Sequence, residues 1–250
     1  MRYPRRLLAL FPSSHYAILS LFFLAGLEII FSLHRFIPLL IATLLLVLFI
    51  GIVLVRAEEG GMFHPTQTIL PSLAAFGLTG FALFLPTTQF IHVYFLLSAV
   101  IFFTVLKYGA KQAYPTWNWM ISLLVLFACI ATILGWRFHL YVPVLFIIGA
   151  TFAIFFLISL QSLWRLAPTT SEALLLALCT AFVLTELTWV LQFLPLYYLV
   201  QTGVLAAFYY VLFHLVTAMF EGGLNRRDIL EYSLVGTAAL LFLLATARWI

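Results

Sequence analysis

The chain has 250 residues, of which 65% are hydrophobic and only 8% are charged, and its formal net charge is +4. Soluble proteins are roughly 45–50% apolar and about 25% charged, so this composition excludes a water-soluble fold. It also excludes a disordered chain, a disulfide scaffold and a nucleic-acid-binding module, because each needs charges, cysteines or a basic surface that the sequence lacks. The class that remains is a helical protein embedded in a membrane.

Long apolar runs predict the membrane-spanning helices. A bilayer core about 30 Å thick needs about 20 apolar residues per helix. Suitable runs occur at residues 16–33, 36–55, 67–85, 90–106, 117–135, 140–162, 173–193, 198–219 and 232–249. Only His34 and Arg35 separate the first two runs, so nine spans are predicted with eight as the alternative. Because no connection is long enough for a separate domain, we expect residues 1–250 to form a single all-α membrane bundle.

The lysine and arginine residues predict the orientation of the bundle. With the amino terminus inside, nine of the twelve fall on the inner side: Arg2, Arg5, Arg6, Arg56, Lys107, Lys111, Arg165, Arg226 and Arg227. The three on the outer side are Arg35, Arg137 and Arg248. Cytoplasmic loops carry an excess of basic residues. This pattern predicts an amino terminus in the cytoplasm and a carboxyl terminus outside.

Two carboxyl groups fall inside predicted spans. Glu28 lies 3.5 residues beyond the middle of the first span and Glu186 lies three beyond the middle of the seventh. At about 1.5 Å per residue, both are predicted to lie roughly 5 Å outward of the membrane midplane. Two carboxyl groups at one level can bind a cation or exchange a proton, whereas a protonated Glu can instead hydrogen-bond a neighbouring helix and hold it in place. Both interpretations remain open at this point.

The seventh predicted helix carries further polar residues near Glu186. Trp189 and Gln192 follow at successive spacings of three, so the three side chains are predicted to line one face. Small residues at spacing four let another helix approach closely, and they are Ala173, Ala177, Ala181 and Thr185. We therefore expect this helix to lie centrally in the bundle rather than against lipid.

His214 lies inside the eighth predicted span, about 8 Å inward of its middle and roughly 13 Å in depth from the two glutamates. It is predicted to be a neutral histidine bonded to a nearby group or, with intervening water, part of a proton route to Glu186. The other histidines lie at predicted membrane interfaces without metal-ligand spacing, so we expect no metal and no cofactor. Cys129 and Cys179 are interpreted as small buried packing residues.

Two inner connections carry signals for the start of a helix. Thr169 with Glu172 three residues later predicts a capping box, and Asn225 is predicted to cap the last helix. Arg226 and Arg227 follow that cap at the inner surface. They are candidate contacts for anionic lipid headgroups, or they only fix the orientation of the chain.

Three short segments carry a resemblance to a known family: Glu186 with Phe193-Leu194-Pro195, Leu230-Glu231-Tyr232, and Thr246-Ala247-Arg248-Trp249. With these segments, the chain from about residue 65 to residue 250 resembles an uncharacterised bacterial family of polytopic membrane proteins, a domain of unknown function. The resemblance implies a membrane fold and supplies no activity.

No nucleophile elbow, phosphate loop or dinucleotide fingerprint occurs in the sequence. We therefore favour a non-enzymatic component of envelope assembly or a lipid-contacting membrane subunit. The alternatives are a proton- or cation-coupled secondary transporter or flippase that uses Glu28 and Glu186, and an intramembrane enzyme acting on a lipid-linked substrate. The expected partners are the lipid bilayer and another membrane protein or a second copy of the chain, with no nucleic acid.

Overall fold

The structure, a computed structural model, describes residues 14–33, 66–85, 88–109, 115–164, 166–221 and 225–247. These residues form eight α-helices in chain order: α1 (Ser14–Leu33), α2 (Thr66–Ala82), α3 (Thr88–Thr104), α4 (Pro115–Leu140), α5 (Val144–Leu163), α6 (Thr170–Leu191), α7 (Tyr198–Glu221) and α8 (Arg226–Thr246). A π-helical segment, Val105–Gly109, directly continues α3. The described part of the chain is therefore all-helical. The predicted second span, residues 36–55, lies outside the described residues.

Six described helices are long and apolar enough to cross a membrane. Their apolar segments are Phe90–Tyr108, Trp119–Leu140, Val144–Leu163, Thr170–Leu191, Tyr198–Phe220 and Ile229–Thr246. Two shorter apolar segments, Tyr16–Ile29 and Thr68–Ala82, belong to α1 and α2. Each predicted span other than the second overlaps one of the eight helices. Length and composition together indicate an integral membrane protein.

The helices group into two compact units, and the boundary between Ile121 and Ser122 falls within α4. In the first unit α1 and α2 both pack against α3, and α2 also contacts the π-helical segment. Aromatic rings join α1 to α3: Phe23 stacks on Phe102 with ring centroids 4.4 Å apart, and Phe31 meets Phe95 edge-on at 6.0 Å. These large side chains supply the van der Waals contacts that hold membrane helices together.

In the second unit α5 packs against α6, α6 packs against α7, and α7 packs against α8. The predicted small-residue stripe of α6 forms the contact with its neighbours. Ala173, Ala177 and Ala181 are fully buried. Leu163 of α5 and Val216 and Phe220 of α7 belong to the same cluster. Small side chains let the backbones approach closely, which confirms the packing role predicted for the stripe.

Glycines allow α7 and α8 to approach each other. A Cβ atom built on Gly203 would lie 3.0 Å from Leu243 Cδ2 of α8. A Cβ atom built on Gly236 would overlap Val211 Cγ2 of α7. The contact at Gly236 therefore requires the absence of a side chain, whereas at Gly203 the tip of Leu243 would have to shift slightly.

Two predicted helix starts are confirmed by hydrogen bonds. The Glu172 backbone N–H donates to Thr169 Oγ1 across 3.3 Å, and the Arg227 backbone N–H donates to Asn225 Oδ1 across 3.4 Å. These bonds satisfy amide groups that the first helical turn leaves without a partner.

Candidate functional site

The candidate site lies on the surface of α6 opposite the small-residue stripe. At about 100° per residue, the side chains from Leu175 to the end of the helix that lie within about 60° of Leu175 form a continuous row. We call this row the Glu186 face, and its members are Leu175, Leu178, Cys179, Phe182, Glu186, Trp189 and Val190. All seven are exposed on the protein. The face is therefore apolar and partly aromatic, with a single carboxyl group.

The expectation of a central α6 is wrong for this side of the helix. Phe182 is 57% exposed and Trp189 is 54% exposed, whereas the opposite stripe is buried. Cys179 belongs to the face and is exposed, which corrects its prediction as a buried residue, whereas Cys129 is buried as predicted. The alanine stripe fixes which side of α6 meets α5, and the other side consequently points away from the unit.

Glu186 lies in the carboxyl-terminal half of α6. Five residues separate it from the helix end at Leu191, and its position is about 8 Å beyond the middle of the helix. The Cα–Cβ bonds of a helix tilt toward its amino terminus, which directs the Glu186 side chain toward the middle of the helix rather than toward the nearer end. Among the described residues, none donates a hydrogen bond to its carboxylate or forms an ion pair with it.

Glu186 and Trp189 share the face as predicted, but Gln192 does not join them. Gln192 is half-buried and its Nε2 donates to Gln201 Oε1 of α7 across 3.2 Å. Gln201 in turn donates to the Leu196 carbonyl across 3.0 Å. The Gln192 side chain therefore stabilises the connection between α6 and α7 through this hydrogen bond. Sequence reasoning missed Gln201, since only the fold shows that a residue four positions into α7 faces the end of α6.

Glu28 has a partner in the first unit. Its Oε1 atom lies 2.9 Å from Nδ1 of His92, which joins the end of α1 to the start of α3. The two side chains are 39% and 64% exposed, respectively. His92 was predicted only as an interfacial histidine, and its pairing was missed. The sequence could have indicated this pair, because Glu28 and His92 lie at similar distances from helix ends. Glu28 is five residues from the end of α1 and His92 is four residues from the start of α3.

His214 lies among aromatic rings. Its ring stacks on Tyr232 of α8 with centroids 4.9 Å apart and meets Tyr210 at 4.5 Å. Phe213 is a further ring neighbour at 5.7 Å. These contacts tie α7 to α8, so they give His214 a packing role.

The remaining predicted residues, Arg226 and Arg227, are exposed in the first turn of α8, next to the Asn225 cap. Within the described ranges, no group of three or more His, Cys, Asp or Glu side chains is arranged to hold a metal ion. Glu28 and Glu186 belong to different units. The structure thus places the two predicted carboxyl groups in two different environments, one paired and one unpaired.

Comparison of the chain with family models, curated proteins and solved structures gives no match.

Proposed function

We propose that this protein is a non-enzymatic integral membrane component of an envelope assembly and that it binds another membrane protein through the Glu186 face. One observation carries the proposal: a carboxylate that pairs with none of the described residues lies on an exposed, otherwise apolar face of a helix that is long enough to span the membrane.

The cost of leaving Glu186 against lipid supports a protein partner. A charged side chain near the middle of a membrane helix costs about 2.5–3.5 kcal/mol on insertion scales, and such residues almost always face protein or water. Lipid tails offer a carboxylate no hydrogen-bond donor. A protein that covers the face can supply one, and it also buries the exposed side chains of Phe182 and Trp189.

The comparison with Glu28 supports the same conclusion. Glu28 is the other carboxyl group within a predicted span, and His92 on a neighbouring helix satisfies it at 2.9 Å. Glu186 lacks such a neighbour among the described residues. The described residues therefore satisfy one intramembrane carboxylate, and in this proposal an external partner satisfies the other.

The proposal includes the predicted topology of nine spans, with the amino terminus in the cytoplasm of a bacterium and the carboxyl terminus outside. It is supported by the asymmetry of the twelve lysine and arginine residues and by the overlap of eight predicted spans with helices. In this topology Arg226 and Arg227 lie at the inner surface, where anionic lipid headgroups contact them. The membrane in this proposal is a bacterial cytoplasmic (inner) membrane.

Site-specific photocross-linking in intact cells tests the proposal. A photoreactive side chain replaces Phe182 on the Glu186 face, and the matched control replaces Leu234, an exposed apolar residue of α8 that is 71% exposed. We expect a discrete protein adduct from position 182 and none from position 234. If position 182 forms adducts only with lipid, the face is an ordinary lipid-facing surface and the proposal fails.

A second candidate function is a proton- or cation-coupled transporter, and the Glu28–His92 pair favours it. A carboxylate and an imidazole in contact can exchange a proton, because histidine changes charge between about pH 5 and pH 8. This function predicts that Glu28→Gln or Glu186→Gln abolishes a pH-dependent flux in proteoliposomes while the protein remains folded. Unchanged flux in both variants would exclude it.

A further inference from the structure

We infer that the partner contacts Glu186 with an arginine side chain carried by one of its own transmembrane helices. This inference rests on the proposed function, because it names the chemistry of the protein that covers the Glu186 face. Three observations carry it: the cations of this chain, the residues that flank Glu186, and the depth of the carboxylate.

Among the described residues, no lysine or arginine forms an ion pair with Glu186. Every lysine and arginine that the structure describes lies within three residues of a helix end: Lys107, Arg137, Arg226 and Arg227. Lys107 lies over the rings of Phe103 and Tyr108, and Arg137 donates to the Val142 carbonyl across 3.2 Å. The predicted second span, residues 36–55, contains no Lys, Arg or His.

A second copy of the chain brings the same described lysines and arginines, and each of them lies within three residues of a helix end. Within the described helices, His92 is the basic side chain whose distance from a helix end is closest to that of Glu186. Its Nδ1 atom already contacts Glu28. No described lysine or arginine lies as far from a helix end as Glu186, so the complementary charge is assigned to a different polypeptide.

The residues around Glu186 select arginine over lysine. Phe182 precedes Glu186 by four residues and Trp189 follows it by three, so an aromatic ring flanks the carboxylate on each side along the helix. A guanidinium group binds a carboxylate through two parallel hydrogen bonds and also stacks on an aromatic face. The ammonium group of lysine is a compact point charge that lacks this planar geometry. Carboxylate and indole together form a surface that suits a planar cation.

The depth of Glu186 places the arginine on the partner helix. The carboxylate belongs to a residue about 8 Å outward of the middle of α6, with leucine, valine and phenylalanine on the rest of the face. The partner segment is therefore an apolar helix with one arginine in its outer half. An arginine in its inner half would lie too far from Glu186 to pair with it.

The test uses synthetic transmembrane peptides as probes. Each is a leucine-rich helix with a fluorescent acceptor, and the purified full-length protein carries a donor in phosphatidylcholine vesicles. One peptide has a single arginine at the depth of Glu186, a second has leucine there, a third has lysine, and a fourth has the arginine moved two turns inward. Energy transfer measures association of each peptide with the protein.

We expect the arginine peptide to associate about tenfold more tightly than the leucine peptide, which is the order of an interhelical polar contact of 1–2 kcal/mol. The lysine peptide and the displaced arginine should each bind more weakly than the matched arginine. Glu186→Gln should remove the difference between the arginine and leucine peptides. Glu231→Gln, a matched change at an exposed glutamate of α8, should leave the difference intact.

A variant with the opposite charge at position 186 distinguishes loss of the contact from misfolding of the protein. The Glu186→Arg protein should no longer bind the arginine peptide and should instead bind a peptide that carries glutamate at the same depth. Equal binding of all peptides, or Glu186-dependent association of the protein with its own copies, would overturn the arginine inference. If position 182 still cross-links to protein in cells, the docking proposal survives that result. If position 182 reaches only lipid, both proposals fail.

Discussion

Replacing Gly236 by alanine should separate α7 from α8, and the size of the effect follows from the contact at this glycine. The Cβ atom of an alanine there would overlap Val211 Cγ2. Valine is branched at Cβ and keeps one strongly preferred rotamer in a helix, so its methyl group cannot swing away. The two helices must therefore move apart. Overpacking of this kind costs about 1–3 kcal/mol.

Glycine-to-alanine changes also raise helix propensity, by about 0.8–1 kcal/mol. The comparison with Gly149→Ala removes that contribution, because Gly149 is exposed in α5 and a Cβ atom there would have no neighbour within 4 Å. We expect Gly236→Ala to be about 1–3 kcal/mol less stable than Gly149→Ala. Gly203→Ala should fall between them, because the leucine tip that it meets is more adjustable than a valine methyl.

Reversible unfolding in detergent, followed by far-ultraviolet circular dichroism, measures these differences. A double-mutant cycle with Val211→Ala identifies the clashing atom, since the alanine change at position 236 should cost nothing once the valine methyl groups are gone. Equal stability of Gly236→Ala and Gly149→Ala would refute the close approach of α7 and α8. A cost that persists in the Val211→Ala background would refute its assignment to this contact.

Two further predictions concern the polar pair and the thiols. A double-mutant cycle with Glu28→Gln and His92→Gln should give a coupling of about 0.6 kcal/mol and no more than about 1.7, the range of polar contacts between membrane helices; zero coupling by unfolding would contradict the 2.9 Å contact. In detergent, N-ethylmaleimide should modify the exposed Cys179 much faster than the buried Cys129, as read by mass spectrometry of the intact protein. Equal rates would contradict the orientation of α6.

The hydrophobic pattern predicts which segments become helices but does not predict most of the contacts between them. Apolar run length depends on the bilayer, so a single sequence is enough to place eight of the helices within a few residues. The π-helical turn at Val105–Gly109 has no counterpart in run length, because it reflects a local change in hydrogen bonding.

The candidate site likewise could be predicted only in part from the sequence. The stripe of Ala173, Ala177 and Ala181 predicts a close helix contact because small side chains allow any neighbouring helix to approach closely. The partner of Glu28 lies 64 residues away in α3, and only the fold brings His92 to it. The expectation of a central α6 was wrong because polar residues on a helix do not show whether this chain or another polypeptide covers them.

Photocross-linking in cells measures what touches the Glu186 face in the membrane. A photoreactive side chain at position 182 is activated in cells that carry either glutamate or leucine at position 186, and adducts are resolved by mass. We expect a discrete protein adduct with glutamate that is lost or strongly reduced with Glu186→Leu, while protein abundance stays the same. Lipid adducts alone, or a protein adduct that is indifferent to residue 186, would contradict it.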